Sequence, residues 1–355
     1  MDFLCIIIFL SYTLGGNIYM LRYLSLFSGI GAFEKALTNL GVPFEVVNFS
    51  EIDKYAIQSY CSIHNISESR NLGDITKVDL SSLSSDIDLI SYGFPCQDIS
   101  IVGKQKGFFN DNGSLTRSGL FFKSLDVISQ IKPKIAIAEN VKALTSSKFS
   151  EQFNLVLSSL NNVGYNNYFK VLNSKDFGIP QNRERLFIIS VRKDIDNFSF
   201  HFPKPFSLSK TLFDYLDFNV DNKYFLSNKM VSYISSNGTK NFSTSDCKIN
   251  LDIARPITTA QGKRAGTSNY ISFVLPSNFD LRNLSSFDNS SLFIRKLTPL
   301  ECFRLMGFSD DDFYKCKSLS ISDTQLYKQA GNSIVVSVLE SLFSSLFSSF
   351  GSLLF

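Results

Sequence analysis

The sequence predicts an α/β protein: a doubly wound, mainly parallel sheet with helices on both faces, followed by a smaller, loop-rich second domain. Three observations predict it. From Met20 onward, short apolar runs alternate with amphipathic stretches of helical length, as in repeated β-α units. The glycine turn Ser28-Gly29-Ile30-Gly31 stands at the first strand-to-helix switch. Near Asn197 the periodicity gives way to Ser, Asn, Phe and Asp with short apolar pieces. A length of 355 residues also exceeds the usual single-domain range.

Residues 1–19 read as an extension outside the fold. The apolar run Phe3 to Leu10 is too short to span a bilayer and has Asp2 where a secretory signal carries positive charge. The first strand is Leu21 to Phe27, followed by a helix from Ala32 to Leu40. Phe44 to Phe49 is the second strand, ending in Ser50-Glu51, and Asp53 caps a helix running to about His64. Gly73-Asp74-Ile75-Thr76 is a tight link to a strand from Ile87 to Tyr92. After a loop over Gly103 to Arg117 come helix Gly119 to Ile131 and strand Lys134 to Ala138, ending in Glu139-Asn140-Val141. A helix near Phe149 to Asn162 and strands near Tyr165–Leu172 and Leu186–Val191 complete the catalytic-domain candidate, residues 20–200. Residues 201–294 show no sustained helical period and form the second domain. In 295–355, Thr298, Pro299 and Glu301 mark a helix start, and an amphipathic helix from Ile334 to Phe347 returns to the first domain.

The apolar fraction of 44% excludes a wholly disordered chain, and the net charge of +3 neither requires nor excludes nucleic acid. The 6 cysteines are scattered without a CxxC pair, and only His64 and His201 could join them. No metal site is expected, and the usage suits a reducing, cytoplasmic setting.

The candidate chemistry lies at the carboxyl ends of the strands, where doubly wound sheets bind ligands. Cys96, in Gly93-Phe-Pro-Cys-Gln97, falls on the loop leaving the third strand. Its thiolate is a strong nucleophile if its pKa is lowered; taken alone, the residue reads as a small core cysteine. The turn over Phe27, Ser28, Gly29, Ile30 and Gly31 lets backbone approach a ligand, although Glu34 stands where a dinucleotide fingerprint has its third glycine. Glu51 and Asp74 end successive units and together describe a nucleoside pocket; singly, each reads as a solvated cap. Glu139 projects into the same crevice, where desolvation would raise its pKa and suit it to proton donation; the alternative is an ion-paired or capping glutamate. Arg183 and Arg185, two apart at a strand, are expected on one face and suit an oxygen acceptor, or else form surface ion pairs.

In order, the chain contains FSGIGAFEKAL, SEIDKYA, GDITKV, GFPCQDIS, ENV, QNRERLF, KLTPLECFRLMGF and QAGNSIVVSVLESL. This series resembles the motif set of bacterial and phage cytosine-C5 DNA methyltransferases over most of residues 21–345. The resemblance implies a Rossmann-like sheet that binds S-adenosylmethionine. Phe27, Ser28, Gly29, Ile30 and Gly31 would wrap the methionine part, with Asn332 and Ser333 closing that end. Glu51 and Ile52 would hold the ribose and one adenine face, and Asp74 and Ile75 the adenine edge. Cys96 would attack cytosine C6 with Pro95 shaping its loop, Glu139 would serve N3 and the exocyclic amine, Arg185 would hold O2, and Arg183 would support the nucleophile loop.

A target cytosine is out of reach in a stacked duplex and must be flipped. The resemblance therefore implies double-stranded DNA as partner, contacted by Gln97, Ser100, Lys104, Gln105 and Arg117 near the nucleophile. Thr258, Thr259, Gln261, Lys263 and Arg264 in the second domain are expected to read sequence. The stretch Leu115-Thr116-Arg117-Ser118 lengthens the loop after the cysteine relative to the shortest family members. The resemblance leaves room for a restriction endonuclease acting on the same site, and implies a monomer without stable membrane association. An RNA cytosine methyltransferase would share PCQ and ENV, but the long variable segment favours DNA. A non-catalytic relative would have lost Cys96, Glu139 or Arg185.

Overall fold

The computed structural model describes residues 19–95, 108, 115–196, 200–235, 249–263, 265–273 and 293–354. Among them, those within Met1–Asn173, Glu184–Pro205 and Val336–Phe355 form one compact unit, and those within Ser174–Arg183 and Phe206–Val335 the other.

The first unit is built on six strands: β1 (Leu21–Leu26), β2 (Phe44–Ser50), β3 (Leu89–Tyr92), β4 (Ile135–Val141), β5 (Tyr165–Asn173) and β6 (Glu184–Arg192). Their order across the sheet is β2-β1-β3-β4-β6-β5. The first four run parallel, with Leu26 level with Ser50 and Tyr92, and Tyr92 level with Ala138. Their carboxyl ends therefore share one edge. β6 runs antiparallel to both neighbours, with Arg185 opposite Val141, so its amino end meets that same edge. Helices α1 (Ala32–Asn39), α2 (Lys54–His64), α3 (Phe121–Ile131) and α4 (Ser150–Asn162) supply the crossovers. Every residue of β3 is buried, as expected for a strand covered on both faces. Leu89 and Ile90 each remove enough apolar surface to contribute about 1.5–3 kcal/mol.

The last helix of the chain spans Val336–Leu354, and Phe343 meets Phe33 of α1 edge to face at 6.2 Å. The apolar stretch ending in it is long enough to cross a bilayer. However, Val338, Leu339, Leu342, Phe343 and Leu346 are buried in the sheet unit, as in a core helix.

The second unit holds helix α5 (Asn228–Ser235), the antiparallel pair β7 (Tyr270–Phe273) and β8 (Phe293–Lys296), and helices α6 (Pro299–Leu305), α7 (Asp310–Ser318) and α8 (Asp323–Asn332); the helix over Val336–Leu354 is thus α9. Thr298 and Glu301 close the expected capping box on α6. A two-stranded ribbon is marginal alone; here Ile234, Tyr270 and Ile294 pack as a small core. Beside it, Arg295 and Glu301, both fully buried, pair at 2.6 and 2.8 Å.

Several expectations need correction. Tyr19 belongs to the fold: its hydroxyl donates to both oxygens of Asp88 at 2.8 Å; the rest of the expected extension, residues 1–18, lies outside the described residues. Helix α5 falls where no helical period was expected, because two turns with Met230, Val231 and Ile234 inward are too short to establish one. The chain also divides differently from the reading 20–200, 201–294 and 295–355. Ser174–Arg183 and the three helices α6 to α8 go with the second unit, and only α9 returns to the first.

Candidate active site

At the end of β1 the backbone turns left-handed three times, at Phe27 (φ 55°), Gly29 (φ 57°) and Gly31 (φ 79°). Only glycine fits at residue 31, since a Cβ there would stand 2.1 Å from His64 Nε2. His64 Nε2 in turn lies 3.0 Å from the Ile30 carbonyl, beneath the turn. The Ser28 N–H and hydroxyl both reach the Ser50 carbonyl at 3.2 Å, tying the turn to β2.

Glu51 organises the next strand end. Its Oε2 accepts from Gly29 N–H at 2.9 Å, and its Oε1 from Ile52 N–H at 2.8 Å and Asp53 N–H at 2.9 Å. Ile52 is 74% exposed, an apolar side chain held in solvent beside that carboxylate. Asp74 caps the turn after the link, accepting from Thr76 N–H and hydroxyl at 2.9 and 2.8 Å, bonds that hold its carboxyl below the usual range. Ile75 is buried beneath. A left-handed turn open to backbone approach, a carboxylate for hydroxyls and an exposed apolar platform fit an adenosyl cofactor with a methionine tail.

Glu34 was not singled out for chemistry by its sequence position, yet it is fully buried under this turn and accepts from Tyr60 hydroxyl at 2.8 Å. Burial pushes its carboxyl above the usual range. Its signal was an acid between Phe33 and Leu37 on the inward face of α1.

On the other half of the edge, β3 ends at Tyr92 and leads into Gly93-Phe94-Pro95. Asn140, buried in β4, donates from Nδ2 to the Phe94 carbonyl at 3.1 Å, and its Oδ1 accepts from Val141 N–H at 2.8 Å. Glu139 and Arg185 meet across β4 and β6, Oε1 to Nε 3.0 Å, with side chains 14% and 21% exposed. A Cβ at Gly93 would lie 3.6 Å from Glu139 Oε2, so the glycine leaves that oxygen room. Cys96, Gln97, Ser100, Lys104 and Gln105 lie outside the described residues. Arg117 is described and exposed.

In the second unit, Arg183 donates to the carbonyls of Ile257 at 2.7 Å, Gly331 at 3.1 Å and Ser333 at 2.7 Å and is buried. The expectation that it shares a strand face with Arg185 is corrected, because β6 begins at Glu184. Sequence reading also missed Gln181, which spans Ile257 N–H at 2.9 Å and the Leu305 carbonyl at 2.8 Å. Asn332 is exposed at the end of α8, and Ser333 is buried. Thr259 and Lys263 are exposed and Thr258 is partly so. Gln261, however, is fully buried against the Asn269 backbone and cannot reach a groove from there, a correction to its expected DNA contact. Arg264 lies outside the described residues. Among the described residues, no group of three or more His, Cys, Asp or Glu side chains is placed to hold a metal ion.

The family model described as C-5 cytosine-specific DNA methylase matches residues 21–348. The orphan methyltransferase M.SPRI of Bacillus phage SPR is 33% identical, over 92% of this chain and 97% of its own. The type II methyltransferase M.HhaI of Haemophilus parahaemolyticus is 34% identical, over 90% of this chain and 92% of its own. Among solved structures, the S. pombe Dnmt2 methyltransferase matches with a TM-score of 0.66 at 23% identity, covering 92% of this chain and 98% of that one. The Entamoeba histolytica methyltransferase EhMeth matches with a TM-score of 0.71 at 20% identity, covering 93% and 98%. These two establish a shared fold.

Proposed function

The chain belongs to the C-5 cytosine-specific DNA methylases, and on that premise we propose that Cys96, Glu139 and Arg185 carry its reaction. The protein is a DNA (cytosine-5)-methyltransferase that uses S-adenosylmethionine. When bound, that cofactor supplies an electrophilic methyl group. The turn from Phe27 to Gly31, with Glu51, Ile52, Asp74 and Ile75, would hold it.

The protein's own groups must make C5 nucleophilic. The Cys96 thiolate adds to C6 of a flipped cytosine, and Glu139 gives a proton or hydrogen bond at N3, so the ring electron density moves to C5. After alkylation, removal of the C5 proton restores the C5–C6 double bond and expels the thiolate. Splitting the reaction through a covalent adduct replaces one difficult step with easier ones. Arg185 pairs with Glu139 at 3.0 Å and would hold O2 of the base. The observation that carries the reading is the Glu139–Arg185 pair at 3.0 Å on the same edge as the Phe94 carbonyl held by Asn140.

Double-stranded DNA is the substrate. We assign sequence reading to the second unit, through Thr258, Thr259, Lys263 and Arg264, with Arg117 on the first. The relatives include both an orphan enzyme and a type II enzyme; a partner endonuclease is compatible with this chain. We read the protein as a cytoplasmic monomer; the buried face of α9 supports a core helix rather than a membrane span.

Bisulfite sequencing of DNA from an expressing strain should reveal 5-methylcytosine in one sequence context. Duplexes carrying 5-fluorocytosine in that context should trap the wild type covalently, while Cys96→Ala still binds but forms no adduct. Turnover by the alanine variant would refute the assignment.

A further inference from the structure

Asn71 stands between the two acids assigned to the nucleoside half of the cofactor, and none of the readings above uses it. Its Oδ1 accepts from Glu51 N–H at 3.1 Å and Gly73 N–H at 3.0 Å, and its Nδ2 donates to the Glu51 carbonyl at 3.1 Å. One short side chain therefore satisfies both backbone groups of Glu51 and the amide preceding Asp74. The surrounding chain is laid for this contact. Asn71 bridges Phe49 in parallel beyond the sheet edge, Leu72 N–H donates to the Phe49 carbonyl at 2.7 Å, and Ser50 hydroxyl donates to the Gly73 carbonyl at 2.7 Å.

Glu51 and Asp74 belong to segments joined covalently only through helix α2 and the turn after it. Their separation is set by noncovalent contacts, and the Asn71 amide makes three of them. Glu51 also grips Gly29, so the clasp extends to the glycine turn. A pocket fixed before its ligand arrives loses less entropy on binding.

We propose that Asn71 is a positioning residue for the nucleoside half of S-adenosylmethionine: its amide clasps the end of β2 to the Gly73–Asp74 link and holds Glu51 and Asp74 at the spacing the nucleoside requires. The proposal rests on the cofactor pocket assigned above. Asn71 acts through its neighbours and need not touch the ligand.

The test is equilibrium binding of S-adenosylhomocysteine, which carries the same nucleoside, to the full-length protein by titration calorimetry, without DNA or turnover. In Asn71→Leu the dissociation constant should rise about tenfold, the scale of one or two net hydrogen bonds. Asn71→Ser, whose hydroxyl can accept from one of the two amides, should recover part of that loss. The thermal midpoint of each ligand-free variant reports folding separately. An Asn71→Leu protein that folds and binds within twofold of wild type overturns the proposal; if Leu prevents folding, Asn71→Ser is held to the same criterion. Glu51→Ala separates the two ideas. If it leaves affinity unchanged, the pocket assignment has failed, whereas a weakened Glu51→Ala beside an unaffected Asn71→Leu removes the Asn71 inference alone.

Discussion

Glu301→Ala should be among the most damaging single changes in the second unit, although it lies outside the candidate active site. Glu301 accepts four hydrogen bonds: Arg295 Nη1 at 2.8 Å, Arg295 Nη2 at 2.6 Å, Asp217 N–H at 2.8 Å and Thr298 N–H at 2.7 Å. Truncation leaves a guanidinium with no solvent exposure and without its carboxylate, although it still donates to the carbonyls of Asp217 at 2.9 Å and Lys296 at 3.2 Å. Leaving one partner of a buried pair uncompensated costs about 3–5 kcal/mol. Against total stabilities of about 5–15 kcal/mol, that is a large fraction. The assay is urea unfolding followed by far-ultraviolet circular dichroism, with the two units fitted as separate transitions if they separate. The double change Arg295→Met, Glu301→Leu removes both charges and should cost clearly less than Glu301→Ala alone. A Glu301→Ala loss below about 1 kcal/mol, or a double variant as damaged as the sum of its singles, would refute the reasoning.

Three further outcomes are expected. Glu139→Gln keeps shape but cannot readily give a proton, so turnover should fall by about 10²–10⁴ while cofactor affinity holds; near-normal turnover would reduce Glu139 to an ion-pair partner of Arg185. Burial alone would raise the Asp323 carboxyl, but hydrogen bonds from Lys317, Lys223 and Tyr224 outweigh it and bring it to about 2. Because this folded value lies below the ordinary one, the stabilisation is present above about pH 4 and is lost as pH falls towards 2; acid unfolding of Asp323→Asn should lack this component. Burial and the Asp88 carboxylate push the Tyr19 hydroxyl up, keeping it a donor. Tyr19→Phe should therefore lower the thermal midpoint by about 2–4 °C, and an unchanged midpoint would return Tyr19 to the extension.

The sheet was legible because its signals are local. A run such as Leu89-Ile-Ser-Tyr92 between turn residues reads as a buried strand, and Asp53 announces its helix. Strand ends located in this way also placed Glu51 and Glu139 on one edge. What stayed hidden depends on partners distant in sequence. Gln261 looks like a groove-reading amide until Asn269 closes over it, and Arg183 looks like a strand residue until Ile257, Gly331 and Ser333 surround it. Asn71 gave no sign because its three bonds reach back to Glu51 and forward to Gly73, a pairing visible only once β2 and the link lie side by side.

The contacts of Gln181 and Arg183 bear on how such a protein diversifies. Apart from a 3.5 Å approach of Gln181 to Met306 Sδ, the hydrogen bonds named for these two side chains all end on main-chain atoms: the N–H and carbonyl of Ile257 and the carbonyls of Leu305, Gly331 and Ser333. Bonds to peptide groups specify the path of the backbone and not the side chains it carries. As far as these bonds decide, the side chains at Ile257, Leu305 and Ser333 can change provided the segment traces the same path, whereas Gly331 is fixed, because a Cβ there would stand 2.3 Å from Thr259 N.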